Sequence, residues 1–127
     1  MAKSITLNST TSFKATDSGL SKILFDFQKN FTSTITSESV QYGEVTIPTV
    51  SLITLNLASP GAGVFLYVEN IEDENDSQVQ VHYGSVTFAT LEQGEFLFVK
   101  LRTTDDIKLR LNTDLGQATC KYFLIEF

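Results

Sequence analysis

The stretch EFLFVKLRTTDDIKLRL, residues 95–111, decides the fold class. Leu97, Val99 and Leu101 share one parity, and Ile107, Leu109 and Leu111 share another. Alternation with a period of two marks strands that keep one face in a core. The intervening positions carry Lys100, Arg102, Lys108 and Arg110, and a polar, acidic run separates the two strands. The segment predicts a hairpin with one apolar side and one basic side. If Leu101 stands opposite Leu109, then Arg102 meets Lys108 and Lys100 meets Arg110, and like charges directly opposed in a sheet destabilise it. Either the two strands are not neighbours and each shows a solvated face, or the basic face meets an acidic partner. Phe96 and Phe98 lie on the parity of Lys100 and Arg102, so this side begins apolar and ends basic. A second layer of core, or an interface patch with a basic rim, would both read this way.

Working outward, the same grammar recurs. Val64–Val68 (VFLYV) is apolar at both parities, as in a central strand covered on both faces, or one with a core face and an interface face. Val79, Val81 and Tyr83 alternate with Gln78, Gln80 and His82. Residues 85–90 form another strand, and a turn over Glu92–Glu95 centres on Gly94. Residues 118–127 end in KYFLIEF, a segment apolar enough to be tied into a sheet. Towards the start, 52–57 alternates, ASPGAG at 58–63 reads as a turn, and Thr32–Thr36 and Glu44–Val50 are short strands around a turn-like Glu38–Gly43. Residues 20–31 fit both helical and strand spacing, and the β-rich surroundings favour a strand. Residues 1–18 read as a polar arm or first strand, leaving 19–127 as one domain. The expected fold is all-β, a β-sandwich or jelly roll of about nine or ten short antiparallel strands.

Composition supports one folded domain of 127 residues with 42% hydrophobic and 19% charged residues, the polar remainder rich in Ser and Thr. A net charge of −6 opposes a nucleic-acid partner, since phosphate binding needs a basic footprint. The start has no apolar signal-peptide core, and no apolar run is long enough for a membrane helix. The chain is therefore expected to fold in a reducing cytoplasm with no membrane partner. Cys120 is the single cysteine and reads as a packed side chain.

Catalytic patterns are absent from the sequence. His82, the one histidine, stands on the wet side of a strand, with no G-x-S-x-G, H-E-x-x-H, C-x-x-C or P-loop pattern anywhere. A carboxylate pair could still hydrolyse glycosides, but there is no Trp to stack on a sugar. Glu69, Glu72, Asp73, Glu74 and Asp76 crowd one loop without an EF-hand's Gly and closing Glu, so a solvated loop is expected, with Ca²⁺ a lesser alternative. No cofactor is expected. Phe96, Phe98, Lys100, Arg102, Lys108 and Arg110 are the candidate interface, and the acidic loop of another copy is one candidate for its partner.

The runs GVFLYVENIEDENDSQVQVHYG, TFATLEQGEFLFVKLRTTDDIKLRL and KYFLIEF together resemble a layout found in small virion proteins of tailed bacteriophages. There, an apolar strand precedes an acidic or Asn-rich turn, an L-x-x-G-E turn leads into the next strand, and an apolar strand closes the domain. The matching residues are Phe65–Asn70, Leu91–Glu95, Phe96–Leu101 and Tyr122–Phe127, all in the second half of the chain. The resemblance implies a non-enzymatic structural subunit of the virion: a capsid decoration (cement) protein, or a collar, tail or fibre component. Its partners would be capsid or tail subunits and further copies of itself, a trimer suiting a capsid three-fold position. The alternative is a carbohydrate- or receptor-binding module in which Tyr42, Tyr67 or Tyr83 stacks on sugar.

Overall fold

The computed structural model describes residues 3–37, 39–49, 51–58, 61–74, 76–103, 105–112 and 116–127. Every regular element among them is a strand: β1 (Lys3–Asp17), β2 (Lys22–Ser37), β3 (Ser39–Ile47), β4 (Leu52–Leu55), β5 (Val64–Asn70), β6 (Val79–Tyr83), β7 (Val86–Leu91), β8 (Phe96–Leu101), β9 (Ile107–Leu111) and β10 (Ala118–Glu126). Among the described residues no helix is long and apolar enough to cross a membrane. The all-β expectation and the strand count hold. Contacts divide the chain into two units, Ala2–Thr36 and Ser37–Phe127.

In the larger unit two four-stranded antiparallel sheets form a β-sandwich, with orders β3-β10-β5-β8 and β4-β9-β6-β7. Inward residues from both sheets make one core: Val64, Leu66 and Val68 of β5 and Leu124 of β10 from one side, Val81 of β6 and Leu109 of β9 from the other. All six are shielded from solvent, and each such side chain contributes about 1.5–3 kcal/mol by leaving water. The shortest strand, β4, lies at an edge, which limits the open backbone available to stray pairing.

The turns follow from local chemistry. Glu95 donates its N–H to the carbonyl of Glu92, and Gly94 at the third position has φ 78°, the left-handed residue a type II turn requires. Gly84, with φ 55°, turns β6 into β7. Part of the 58–63 turn, Ser59 and Pro60, lies outside the described residues.

Three expectations are corrected. The 95–111 hairpin does not form, because its two strands belong to opposite sheets. β8 pairs with β5 and β9 lies between β4 and β6, so the chain changes sheet between Leu101 and Ile107. Both leucine sets still face the core, but from opposite sides, so the presumed clash of like charges never arises. The reading in which these strands are not neighbours is the one that holds. Second, Glu38–Gly43 contains no turn among its described residues. β3 already starts at Ser39, where pairing with β10 overrides the polar, Gly-containing sequence. Third, the boundary falls after Thr36 and not after residue 18, because β1 and β2 form their own two-stranded sheet.

That sheet is a long ribbon. Phe13 tilts against Phe27, Thr10 donates to Asn30 at 3.1 Å and Thr32 donates to Asn8 at 3.0 Å, all in one antiparallel register. Asp17 caps the reversal by accepting the N–H of Gly19 at 3.0 Å. Residues 20–31 thus resolve as turn and strand, with no helix.

Candidate binding face

The register of the β3-β10-β5-β8 sheet sets four aromatic residues in a row. Tyr42 of β3 pairs with Phe123 of β10, Phe123 with Tyr67 of β5, and Tyr67 with Phe98 of β8. All four lie on the parity opposite the core, so the row runs across the sheet's outer surface. The rings of Tyr67 and Phe123 stack with centroids 5.4 Å apart and planes 8° from parallel. Phe98 tilts against Phe123 at 6.0 Å, and Phe96 stacks on Tyr67 at 5.8 Å. Such contacts add about 0.5–1.5 kcal/mol each beyond burial.

The flanking rows differ in character. On one side the cross-strand order is Glu44, Lys121, Glu69 and Phe96, which alternates charge across three strands. On the other it is Val40, Ile125, Phe65 and Lys100, and the Lys100 Nζ lies 5.3 Å from the Phe65 ring and 4.9 Å from the Phe127 ring. The face is therefore an aromatic stripe with a charged border and a cation held over rings. Tyr67 is fixed within it by donating its hydroxyl proton to Glu69 Oε1 at 2.6 Å. Burial, that hydrogen bond and the negative charge of Glu69 together push the Tyr67 phenol up to about 12. A shallow hollow of about 450 Å³ opens beside the row, lined by Tyr42, Glu44, Tyr67, Lys121 and Phe123 among others. Tyr42 is 78% exposed and Phe96, in the flanking row, is 53% exposed, so the stripe is open at its Tyr42 end and along its Phe96 border.

Of the expected interface, Phe96, Phe98 and Lys100 belong to this face, and Phe96 is not covered by a second layer of core. Arg102 is exposed just beyond β8. Lys108 and Arg110 stand on the outer face of the opposite sheet, where they and His82 line a small hollow with Leu52. There His82 Nδ1 bonds the Thr87 hydroxyl at 2.9 Å, and Nε2 is buried without a partner. Burial first, then Arg110 and Lys108, hold the imidazole below its ordinary pKa. Tyr83, expected as a sugar-stacking residue, instead turns inward against Phe88 at 5.3 Å.

The acidic loop is built around a residue that the charge pattern hides. Asn70 is wholly buried, its amide donating to the carbonyls of Ser77 at 2.8 Å and Leu91 at 3.1 Å, while its Oδ1 accepts the N–H of Glu72. Glu72 is buried too, its carboxylate accepting the N–H groups of Glu74 and Thr119. Glu69 serves Tyr67, and Asp73, Glu74 and Asp76 face solvent. Among the described residues no three acidic, His or Cys side chains gather as metal ligands. Cys120 is in the core, its thiol pushed up to about 12 by burial and by Glu72.

Sequence reasoning missed Phe123 and Asn70 as the organising residues. The signal for Phe123 was present: in VFLYV and YFLIEF both parities are apolar, so one set must point away from the core. No protein-family model matches the chain, and no curated protein is similar to it.

Proposed function

We propose that this protein is a non-enzymatic structural subunit of a bacteriophage virion, a capsid decoration (cement) protein that binds neighbouring subunits through the outer face of its β3-β10-β5-β8 sheet. The observation that carries the reading is the row Tyr42–Phe123–Tyr67–Phe98, open at its Tyr42 end and bordered on one side by alternating charge. An apolar centre with a polar rim is the anatomy of a protein interface. The strand order supports reading the sandwich as a jelly roll, the eight-stranded double Greek key found in capsid domains, and the resemblance of the second half of the chain to small phage virion proteins points the same way. The chain would be made in the host cytoplasm and work in the particle. The test is to probe purified particles from the virus encoding this chain by mass spectrometry and antibody labelling. The protein should be present in many copies, and a Phe96→Lys/Phe98→Lys variant should fold but fail to incorporate. Particles lacking the chain would overturn the reading.

The hollow beside Tyr42, Tyr67 and Phe123 favours one second reading, a carbohydrate- or receptor-binding module of a tail or fibre. Flat rings at a sheet surface stack on the apolar faces of sugars. A glycan array would then give binding that is lost in Tyr42→Ala, and no binding on any glycan would reject it.

A further inference from the structure

We infer that the small hollow on the outer face of the β4-β9-β6-β7 sheet binds a tetrahedral oxyanion, of the phosphate or sulfate class, held by Lys108 and Arg110 against His82. The inference goes beyond the proposed function: it concerns the other sheet and does not depend on where the protein works.

The sequence puts both cations on one face. Ile107, Leu109 and Leu111 of β9 fill the core, so Lys108 and Arg110 point outward two residues apart. Their cross-strand neighbours carry no compensating charge. Lys108 lies between Thr54 of β4 and His82 of β6, and Arg110 lies between Leu52 and Gln80. Acids are not scarce in this chain, which has 15 of them against 9 lysines and arginines. On the other sheet's outer face they are interleaved with a cation, in the row Glu44, Lys121 and Glu69. Of the two acids just before β9, Asp106 accepts the Leu57 N–H at 2.8 Å, and Asp105 lies against Gly84, past the end of β6. Two adjacent cations without a counter-charge repel each other and raise the local positive potential, which a bound anion relieves.

Size and donor chemistry point to a single small ion. Leu52, His82, Lys108 and Arg110 line a hollow of about 140 Å³, a few times the roughly 30 Å³ that one water occupies in the liquid. Arg110 brings a planar fork of N–H donors, and Lys108 a compact ammonium on a flexible stem; both groups recur as phosphate ligands. His82 adds a third polar group, because Thr87 engages its Nδ1 while its Nε2 has no partner among the described residues. With the Thr87 hydroxyl donating to Nδ1, Nε2 carries the ring's proton and becomes a donor. Donors brought together from two strands suit the oxygens of a tetrahedral ion better than a planar carboxylate, which one arginine fork satisfies. Burial, Arg110 and Lys108 all disfavour the charged imidazole, and a bound anion offsets the two cations. Anion binding and protonation of His82 therefore favour each other.

The test uses the whole chain, whose single histidine makes the ring signals of His82 unambiguous in an NMR titration. Sulfate is the probe, because its charge is constant between about pH 5 and 8, where imidazole titrates. Saturating sulfate should raise the His82 midpoint above its value in chloride of equal ionic strength. Reciprocally, sulfate should bind at least about fivefold tighter at about pH 5 than at about pH 8. Lys22→Gln, which removes a cation from the separate ribbon, should respond like the unaltered chain. Lys108→Gln/Arg110→Gln should start from a higher midpoint and ignore sulfate, and resistance of Cys120 to a thiol reagent reports that its sandwich is intact. Equal midpoints in sulfate and chloride, or a sulfate response that persists in the double variant, would overturn the inference. Displacement of sulfate by inorganic phosphate supports it for a free ion, and displacement by phosphoserine as well supports it for an ester on another chain. Loss of virion incorporation in Phe96→Lys/Phe98→Lys concerns only the other sheet, so the two readings can fail separately.

Discussion

The ring of Phe123 lies almost flat over that of Tyr67, centroids 5.4 Å apart, and the two residues are direct cross-strand partners of β10 and β5. Phe123 also touches Phe98, so it is the hub of the aromatic row, whereas Tyr42 stands at the exposed end. Stability and recognition should therefore separate. Phe123→Ala removes two ring contacts and half-buried area and is expected to cost roughly 2 kcal/mol, less than a fully buried Phe would. Tyr42→Ala should change stability by no more than about 0.5 kcal/mol while abolishing binding at this face. Urea titrations of both variants, set beside a partner-binding assay, check the split; equal stability losses would show the row to be a single structural unit.

Asn70 gives a second prediction, because one buried amide satisfies three backbone groups. Asn70→Ala leaves the Ser77 and Leu91 carbonyls and the Glu72 N–H without these partners, with a penalty of about 1–3 kcal/mol per buried group. A loss of about 3 kcal/mol is expected, with faster amide exchange confined to residues 70–77. Asn70→Asp should be as damaging, since a carboxylate cannot donate to either carbonyl. A shift in the unfolding midpoint no larger than that of a surface substitution would show that the loop holds itself.

From residue 52 onward the strands were legible in the sequence, because one buried face and one outer face enforce a period of two that single residues reveal. What could not be read was which strands become neighbours. The Arg102–Asp106 segment carries turn-like residues, yet nothing in its letters distinguishes a hairpin from a crossing between sheets; that choice is made by the distant partners β5 and β6. The candidate site was half visible for the same reason. Phe96, Phe98 and Lys100 announced an apolar outer face, but the row they join is assembled from β3, β5 and β10, which lie far apart in the chain. The ribbon was the least legible part, since its Ser, Thr and Asn positions match a polar arm as well as the wet face of a strand.

Gly63 makes a third prediction, at a place where two backbones approach. A Cβ at this position would stand 2.1 Å from the Leu101 carbonyl oxygen and 2.9 Å from the Phe127 ring. The same residue exchanges hydrogen bonds with Phe127, donating to its carbonyl at 3.2 Å and accepting its N–H at 3.0 Å. Gly63→Ala must push β8 or the end of β10 outward, and overpacking of this kind costs about 1–3 kcal/mol. A lower unfolding temperature is expected, with Phe127→Ala giving only partial relief because the main clash is with backbone. Unchanged stability would mean that the two segments can part freely.

The last prediction concerns alkaline pH. Cys120 is raised from 9.0 to about 12 and Tyr67 from 10.0 to about 12, burial being the leading cause in both. Each native group keeps a proton that the unfolded chain releases, so the native state binds more protons between the ordinary and the raised value. By linkage, stability is fully present below about pH 9 and falls as pH rises towards about 12. For the wholly buried Cys120 the slope approaches about 1.4 kcal/mol per pH unit once the unfolded thiol is ionised. Urea midpoints measured from pH 8 to 11 should decline from about pH 9, and Cys120→Ala should delay the onset to about pH 10, where Tyr67 begins to act. The thiol should also resist modification in the native protein at pH 9 and react at once in denaturant. Constant midpoints up to pH 11, or rapid native-state modification, would mean that the centre of the sandwich admits hydroxide and water far more readily than its packing allows.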